Sequence, residues 1–171
     1  MIAFAHTLLH NSRRTKINTC LVVCPLNTVL NWHNEWMKWV PSRIRPEVYE
    51  MAQVKKDMYS RCDRVNEWHC EGGVLIMGYE MYRNLSSHRN VKQKSQRDIL
   101  TRCLIDPGPD VIICDEGHVL KNEKTALSKA MSKIKTKRRV VLTGTPLQNN
   151  LAECKPQSSF AQSFSSCTYI M

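Results

Sequence analysis

Glycine is scarce in this chain, with six among 171 residues, the first of them Gly72 and none followed by lysine. A glycine-rich loop closed by lysine, the usual backbone cradle for a polyphosphate, therefore cannot be assembled from these residues. No two cysteines stand at Cys-x-x-Cys spacing, which argues against a structural zinc site. Long apolar runs are missing too, so nothing in the sequence is suited to span a bilayer. The apolar start MIAFAHTLL has no basic residues ahead of it and no small-residue cleavage site behind, unlike a secretory leader. Acid is in short supply: 15 Asp and Glu face 25 Lys and Arg, for a formal charge of +10.

What is present describes one folded domain of ordinary size, too short for a two-lobed motor. An apolar share of 42% with four tryptophans is more than a disordered basic tail carries. The positive excess is local. Arg83, Arg89, Lys92, Lys94, Arg97 and Arg102 face Asp98 alone, and Lys133, Lys135, Lys137, Arg138 and Arg139 face no acid. Clusters of this kind suit a polyanion, nucleic acid first, and equally describe a solvated helix end and loop. Three of the eight cysteines, Cys20, Cys24 and Cys114, lie inside apolar runs, which points to core thiols in a reducing compartment, cytosol or nucleus.

Along the chain, β-rich runs alternate with helical spacing. Residues 1–12 read as a helix followed by the loop NSRRTKIN, TCLVVCP (19–25) as a buried strand, and 26–40 as a helix carrying Trp32, Trp36 and Trp39, closed by Pro41. The tryptophan stripe reads as core packing before it reads as a stacking platform. A short strand at 47–51, a helix over 52–69, a strand at 74–77, a basic loop and helix, a turn at DPGPD (106–110) and a strand at 111–114 follow. A helix through Ala126, Ala130, Met131 and Ile134 leads to a last strand in RRVVLTG (138–144). This order predicts an α/β fold with an open, mostly parallel sheet flanked by helices. Past Leu151 periodicity ends, and residues 154–171 read as a serine-rich, poorly ordered tail behind a domain spanning 1–153.

Two places carry chemistry. In VIICDEGH (111–118) an apolar strand ends in Asp115 and Glu116, then Gly117 and His118. Ligands of parallel sheets sit beyond the carboxyl ends of the strands, and paired carboxylates there suit a hydrated Mg2+ carrying phosphate oxygens, or else a solvated turn capping the next helix. In RVVLTGTPLQNN (139–150) a second strand ends in Thr143, Gly144 and Thr145, which offer hydroxyls and backbone N–H groups at the same edge, or simply a turn.

Four blocks in order, LVVCPLNTVLNW (21–32), IMGYEMYRN (76–84), DEGHVLKN (115–122) and LTGTPLQNNL (142–151), resemble the Swi/Snf-type chromatin-remodelling ATPases of the superfamily 2 helicase-like motors. The glycine of DEGH, with PGPD before it and ALSKA after it, is most similar to the ATRX branch. The resemblance implies a RecA-like fold, here a partial helicase ATP-binding lobe, and ATP hydrolysis coupled to movement on duplex DNA in nuclear chromatin. It matches Asp115 and Glu116 to acids that hold Mg2+ through water and activate the attacking water, and His118 to a link with the loop Thr143, Gly144, Thr145 and Gln148. It matches Pro25, Asn27, Thr28 and Asn31, and then Tyr79 and Glu80, to contacts with DNA phosphates, with Gly78 where many relatives carry Thr or Ser. Arg138 and Arg139 are expected to add salt-dependent DNA contacts.

The glycine-lysine cradle and the second ATPase lobe that such motors use are not found in these 171 residues. The expectation is a chain starting inside the first lobe, with ATP and Mg2+ as cofactors of the family and little turnover by itself. A non-catalytic DNA or chromatin-binding module, or an unproductive truncated product, is the alternative.

Overall fold

Strands whose side chains are apolar at every position need cover on both faces, and this requirement organises the molecule. The structure, a computed structural model, describes residues 1–120, 122 and 124–143, together with the backbone of 168–170. Six strands, β1 (Thr19–Cys24), β2 (Val48–Glu50), β3 (Gly73–Gly78), β4 (Val111–Cys114), β5 (Arg139–Leu142) and β6 (Thr168–Ile170), pair in parallel in the order β2-β3-β1-β4-β5-β6. The open, parallel α/β sheet expected from the alternating pattern is the one observed, as is the RecA-like architecture that the resemblance implied. β6 lies inside the segment read as a tail; residues 144–167 and 171 are outside the described residues.

The period of two in a strand divides the core. Cys20, Val22, Cys24, Val74, Ile76, Val111, Ile113 and Val140 face α1 (Ile2–His10) and α3 (Val29–Trp39), which contribute Ala5, Leu9, Val29 and Trp36. Leu21, Val23, Leu75, Met77, Ile112, Cys114 and Val141 face the opposite layer. That layer holds α4 (Met58–Glu71), α5 (Tyr79–Ser86), α6 (Lys94–Leu104) and α7 (Ala126–Ser132), with Trp68, Tyr82, Leu100 and Met131 fully covered. Each such large side chain contributes roughly 1.5–3 kcal/mol by leaving water. The buried Cys20 thiol is pushed up to about 12 and Cys24 to about 11, chiefly by desolvation, so both stay protonated as core groups.

Three local differences from the sequence reading have physical causes. Part of the expected loop NSRRTKIN forms a one-turn helix, α2 (Ser12–Thr15), ended by Lys16 in a left-handed conformation (φ 58°). The helix expected from residue 52 begins at Met58, because the Asp57 carboxylate accepts from Ser60 N at 2.8 Å and fixes the start there. Helix α5 begins directly at the end of β3, placing Tyr79, Tyr82 and Leu85 on its buried side, ahead of the basic stretch. Among the described residues no helix is long and apolar enough to cross a membrane.

Gly73 opens β3 with φ +100°, and a Cβ there would fall on the Glu47 carbonyl oxygen of the neighbouring strand end. Its own carbonyl accepts from the buried Trp68 indole at 3.1 Å, so the backbone has no room to retreat. Gly73→Ala is expected to lower the free energy of unfolding by about 2 kcal/mol or more, measured by urea denaturation. A change below about 0.5 kcal/mol would show that this strand start adjusts freely.

Candidate nucleotide and nucleic-acid site

Because every strand runs the same way, all strand exits lie on one edge of the sheet, and the sequence blocks that follow the strands meet there. Pro25–Asn31 leaves β1, Gly78–Glu80 leaves β3, Asp115–His118 leaves β4 and Thr143 leaves β5. Asp115 ties three of these exits together. Its N–H donates to Val23 O of β1 at 2.9 Å, and its carbonyl accepts from the Tyr79 hydroxyl of α5 at 2.7 Å. Its carboxylate accepts from the Trp32 indole of α3 at 2.9 Å on Oδ2 and from Glu116 N at 3.0 Å on Oδ1. Burial, followed by the neighbouring Cys114 and Asp115 side chains, raises the Tyr79 hydroxyl well above its ordinary range, which keeps it a donor.

Trp32 is the residue that sequence reasoning missed. The stripe read as core splits into three roles: Trp36 is fully buried, Trp39 is 66% exposed, and Trp32 reaches across to Asp115. The one available signal was its position in the block that follows β1.

Glu116 adopts φ +52°, unusual for a residue with a side chain, at the point where the chain turns out of β4. This turn brings its carboxylate to 3.1 Å from His118 Nδ1, with both side chains more than 40% exposed. Gly117 between them is fixed by space: an added Cβ would overlap the Val141 Cγ1 methyl on β5. Valine is stiff at χ1 and Val141 is 8% exposed, so it cannot swing away at little cost.

In the segment after β1, Asn27 and Asn31 are exposed, while Thr28 Oγ1 donates to Pro25 O at 2.9 Å. Thr28 stands at the N-terminus of the 11-residue helix α3 without a side-chain cap, and the Val29 N–H at the first helical position donates to Leu26 O of the preceding turn. Asn27 therefore does not cap this helix. At Gly78 an added Cβ would stand 3.6 Å from Leu26 Cα and Cδ1, ordinary contact, so space does not explain why Thr or Ser is missing there.

Several expected site residues lie elsewhere. Arg138 and Arg139 precede β5 and open it, and at about 3.3 Å per residue Arg138 stands roughly 15 Å from Thr143, on the opposite edge of the sheet. Arg139 is moreover 3% exposed. Its guanidinium donates to the carbonyls of Thr136 (3.0 Å), Met131 (3.2 Å) and Ile134 (2.7 Å), closing the end of α7. Arg139 is thus corrected as a DNA contact, its guanidinium being spent on buried carbonyls, while Arg138 is exposed and a strand separates it from the threonine loop. Tyr79 is corrected as a direct phosphate contact, since it is 8% exposed and its hydroxyl bonds Asp115 O. Glu80 is exposed and pairs with Arg83 at 3.1 Å. Gly144, Thr145 and Gln148 lie outside the described residues.

The donor set decides what this edge can hold. Asp115 and Glu116 keep free lone pairs for a cation reached through water, yet Asp115 already accepts two hydrogen bonds and Glu116 faces His118. Among the described residues no group of three His, Cys, Asp or Glu side chains is placed to hold a metal. His6 and His10, a His-x3-His pair, only stack at 5.3 Å while His6 Nε2 bonds Ile44 O. Without a Gly-Lys cradle the residues present do not fit a complete Mg-nucleotide, and no hydrolytic step is assigned to them.

Gly117→Ala is expected to lower stability by about 1–3 kcal/mol through overpacking, with partial recovery when Val141→Ala is combined with it; thermal melts of the single and double variants check this. Arg139→Met should cost about 2–4 kcal/mol by leaving buried carbonyls unpaired, whereas Arg138→Gln should change stability by less than about 0.5 kcal/mol. Equal losses in the two variants would undo the assignment.

A family model described as the SNF2-related domain matches residues 1–161. The mouse protein "Transcriptional regulator ATRX" is 52% identical over 156 residues, covering 90% of this chain and 6% of that protein. The Drosophila melanogaster "Transcriptional regulator ATRX homolog" is 50% identical over 156 residues, covering 90% and 12%. The chain thus spans a small part of the length of these relatives. Among solved structures, the Sulfolobus solfataricus SWI2/SNF2 ATPase core in complex with dsDNA has the same fold, with a TM-score of 0.57 at 21% identity over 93% of this chain and 30% of that one. The ordered blocks at one sheet edge, the family match over most of the chain and about 50% identity to ATRX proteins lead to one assignment: the chain belongs to the SNF2-related domain family, on its ATRX-like side.

Proposed function

We propose that this chain forms part of the first RecA-like lobe of an ATRX-type, ATP-dependent DNA translocase that works on chromatin in the nucleus, and that it contributes duplex DNA contacts rather than turnover. The observation that carries this reading is the convergence of the β1, β3 and β4 exits on Asp115. A shift of α3 against the sheet is felt at the Asp115 carboxylate through Trp32, and a shift of α5 is felt at its carbonyl through Tyr79. Phosphates of one DNA strand meet the exposed Asn27 and Asn31 of the segment that leads from β1 into α3.

ATP with Mg2+ supplies the free energy for movement in a complete motor of this family. In this chain Asp115 and Glu116 are the carboxylates that would face Mg2+ in such a motor, and His118 Nδ1 lies 3.1 Å from Glu116. The coupling role belongs to Thr143, Gly144, Thr145 and Gln148, and the second ATPase lobe is a required partner.

The purified 171-residue chain is expected to bind fluorescent duplex DNA with an affinity that falls steeply with salt, and to hydrolyse ATP no faster than its Glu116→Gln variant. Asn27→Ala with Asn31→Ala should weaken DNA binding about tenfold or more, at about 1 kcal/mol for each hydrogen bond lost. DNA-stimulated turnover above the Glu116→Gln control would overturn the inactive state of this chain, and absence of DNA binding by folded protein would overturn the DNA role.

A further inference from the structure

The two edges of the sheet are finished differently. At one edge β2 is three residues long, and the Glu50 carboxylate at its end accepts from Ala52 N at 2.7 Å and Gln53 N at 3.2 Å, which closes the strand with a charged turn. β5 has no such protection. Val140, Val141 and Leu142 carry neither charge nor proline, and Val140 and Val141 are 4% and 8% exposed. A strand of this kind, left at an edge, offers its free N–H and C=O groups to an extended chain. The place beside it is taken by β6, which runs parallel to β5 with Val140 opposite Thr168, Val141 opposite Tyr169 and Leu142 opposite Ile170.

This strand lies beyond residues 1–161, the part that matches the family model. Thr, Tyr and Ile are residue types enriched in strands, and here they follow a stretch rich in serine. Two parallel strands of one chain need a crossover of about a dozen residues or more, and the sequence between Leu142 and Thr168 exceeds that, so a single chain can supply both.

The direction of the ladder identifies what β6 holds. Ile112 N of β4 donates to Arg138 O at 3.0 Å, and successive residues of a strand direct their N–H and C=O groups to alternate sides. Val140 and Leu142 therefore address β4, and Val141 addresses β6. In this register Val141 N–H donates to Thr168 O and Val141 O accepts from Ile170 N–H, while the Tyr169 N–H points away from β5. Val141 is also the residue whose Cγ1 methyl fills the space beside Gly117, in the turn that carries Glu116 and His118. From this arrangement we infer that Thr168–Ile170 is a latch strand: it closes the β5 edge within the chain and, by pinning Val141, holds the Glu116–His118 turn in place. With the latch off, the β5 edge becomes an acceptor for an extended segment from another chain. The inference does not depend on the DNA-binding reading above.

The test reads amide hydrogen exchange residue by residue, by NMR, in the 171-residue chain and in two proline variants, with circular dichroism melts to check folding. Ile170→Pro removes the N–H that Val141 O accepts. Tyr169→Pro removes one that faces away from β5, where an edge strand tolerates proline. Expected is a protected Val141 amide in the unaltered chain, exchange about tenfold faster or more in Ile170→Pro, and a change under about threefold in Tyr169→Pro. The Glu116 and Gly117 amide resonances should shift in Ile170→Pro and stay in place in Tyr169→Pro. Equal effects of the two prolines, or no effect of either, would overturn the pairing, and release of Val141 without movement of the Glu116 and Gly117 signals would overturn the hold on the turn. Leu142→Cys with Ile170→Cys covers the case in which Ile170→Pro does not fold, since register partners in neighbouring strands lie about 4.8 Å apart, within reach of a disulfide. A disulfide formed within one chain on oxidation, mapped by mass spectrometry, is the expected result. One formed only between two chains would assign the strand to a second copy, and none at all would leave the β5 edge open; either overturns the inference.

Discussion

Four groups converge on Asp115 at the end of β4, and the site depends on them. Val23 O takes its N–H, the Tyr79 hydroxyl serves its carbonyl, and the Trp32 indole and the Glu116 amide fill two positions of its carboxylate. These bonds come from β1, α5, α3 and the following turn, elements scattered over more than ninety positions of sequence. A partly covered carboxylate with two good donors is fixed in direction, and its neighbours are fixed by the same bonds. Movement of either flanking helix is consequently a change in hydrogen bonding at one residue.

Space enforces the same arrangement from below. Gly117 brings the turn after β4 so close to Val141 of β5 that a methyl group would overlap. The glycine that distinguishes DEGH is therefore a packing requirement between two strands as well as a motif letter. Glu116 pays for the tightness with a left-handed backbone, and the resulting turn presents its carboxylate to His118.

The charge of the molecule is distributed less simply than its net value suggests. Arg139, the last cation of a five-cation run, is buried and holds the end of α7, while Arg83, Arg97 and Arg102 bond to neighbours within the fold. Lys56 and Arg61, which lie outside both runs, and Arg89, which belongs to the first, have no ion pair among the described residues. Net charge is thus no measure of which cations the fold leaves unengaged.

Strand positions were legible in the sequence because a continuous apolar run such as LVVC or VIIC has no stable place except inside a covered parallel sheet, and this fixed which turns exit toward a ligand. The DEGH and PLNT blocks were likewise legible, since their residue types and order reflect local chemistry. What sequence alone could not decide was contact across the sheet. Trp32 and Asp115 are 83 positions apart and meet only because β1 and β4 are neighbours in the strand order. Arg139 reads as surface charge until strand direction turns it under α7, away from the threonine loop four residues on. Periodicity and motif report what each segment prefers by itself; pairing order, strand direction and the space left between side chains belong to the assembled structure, because they arise from residues that no local window contains.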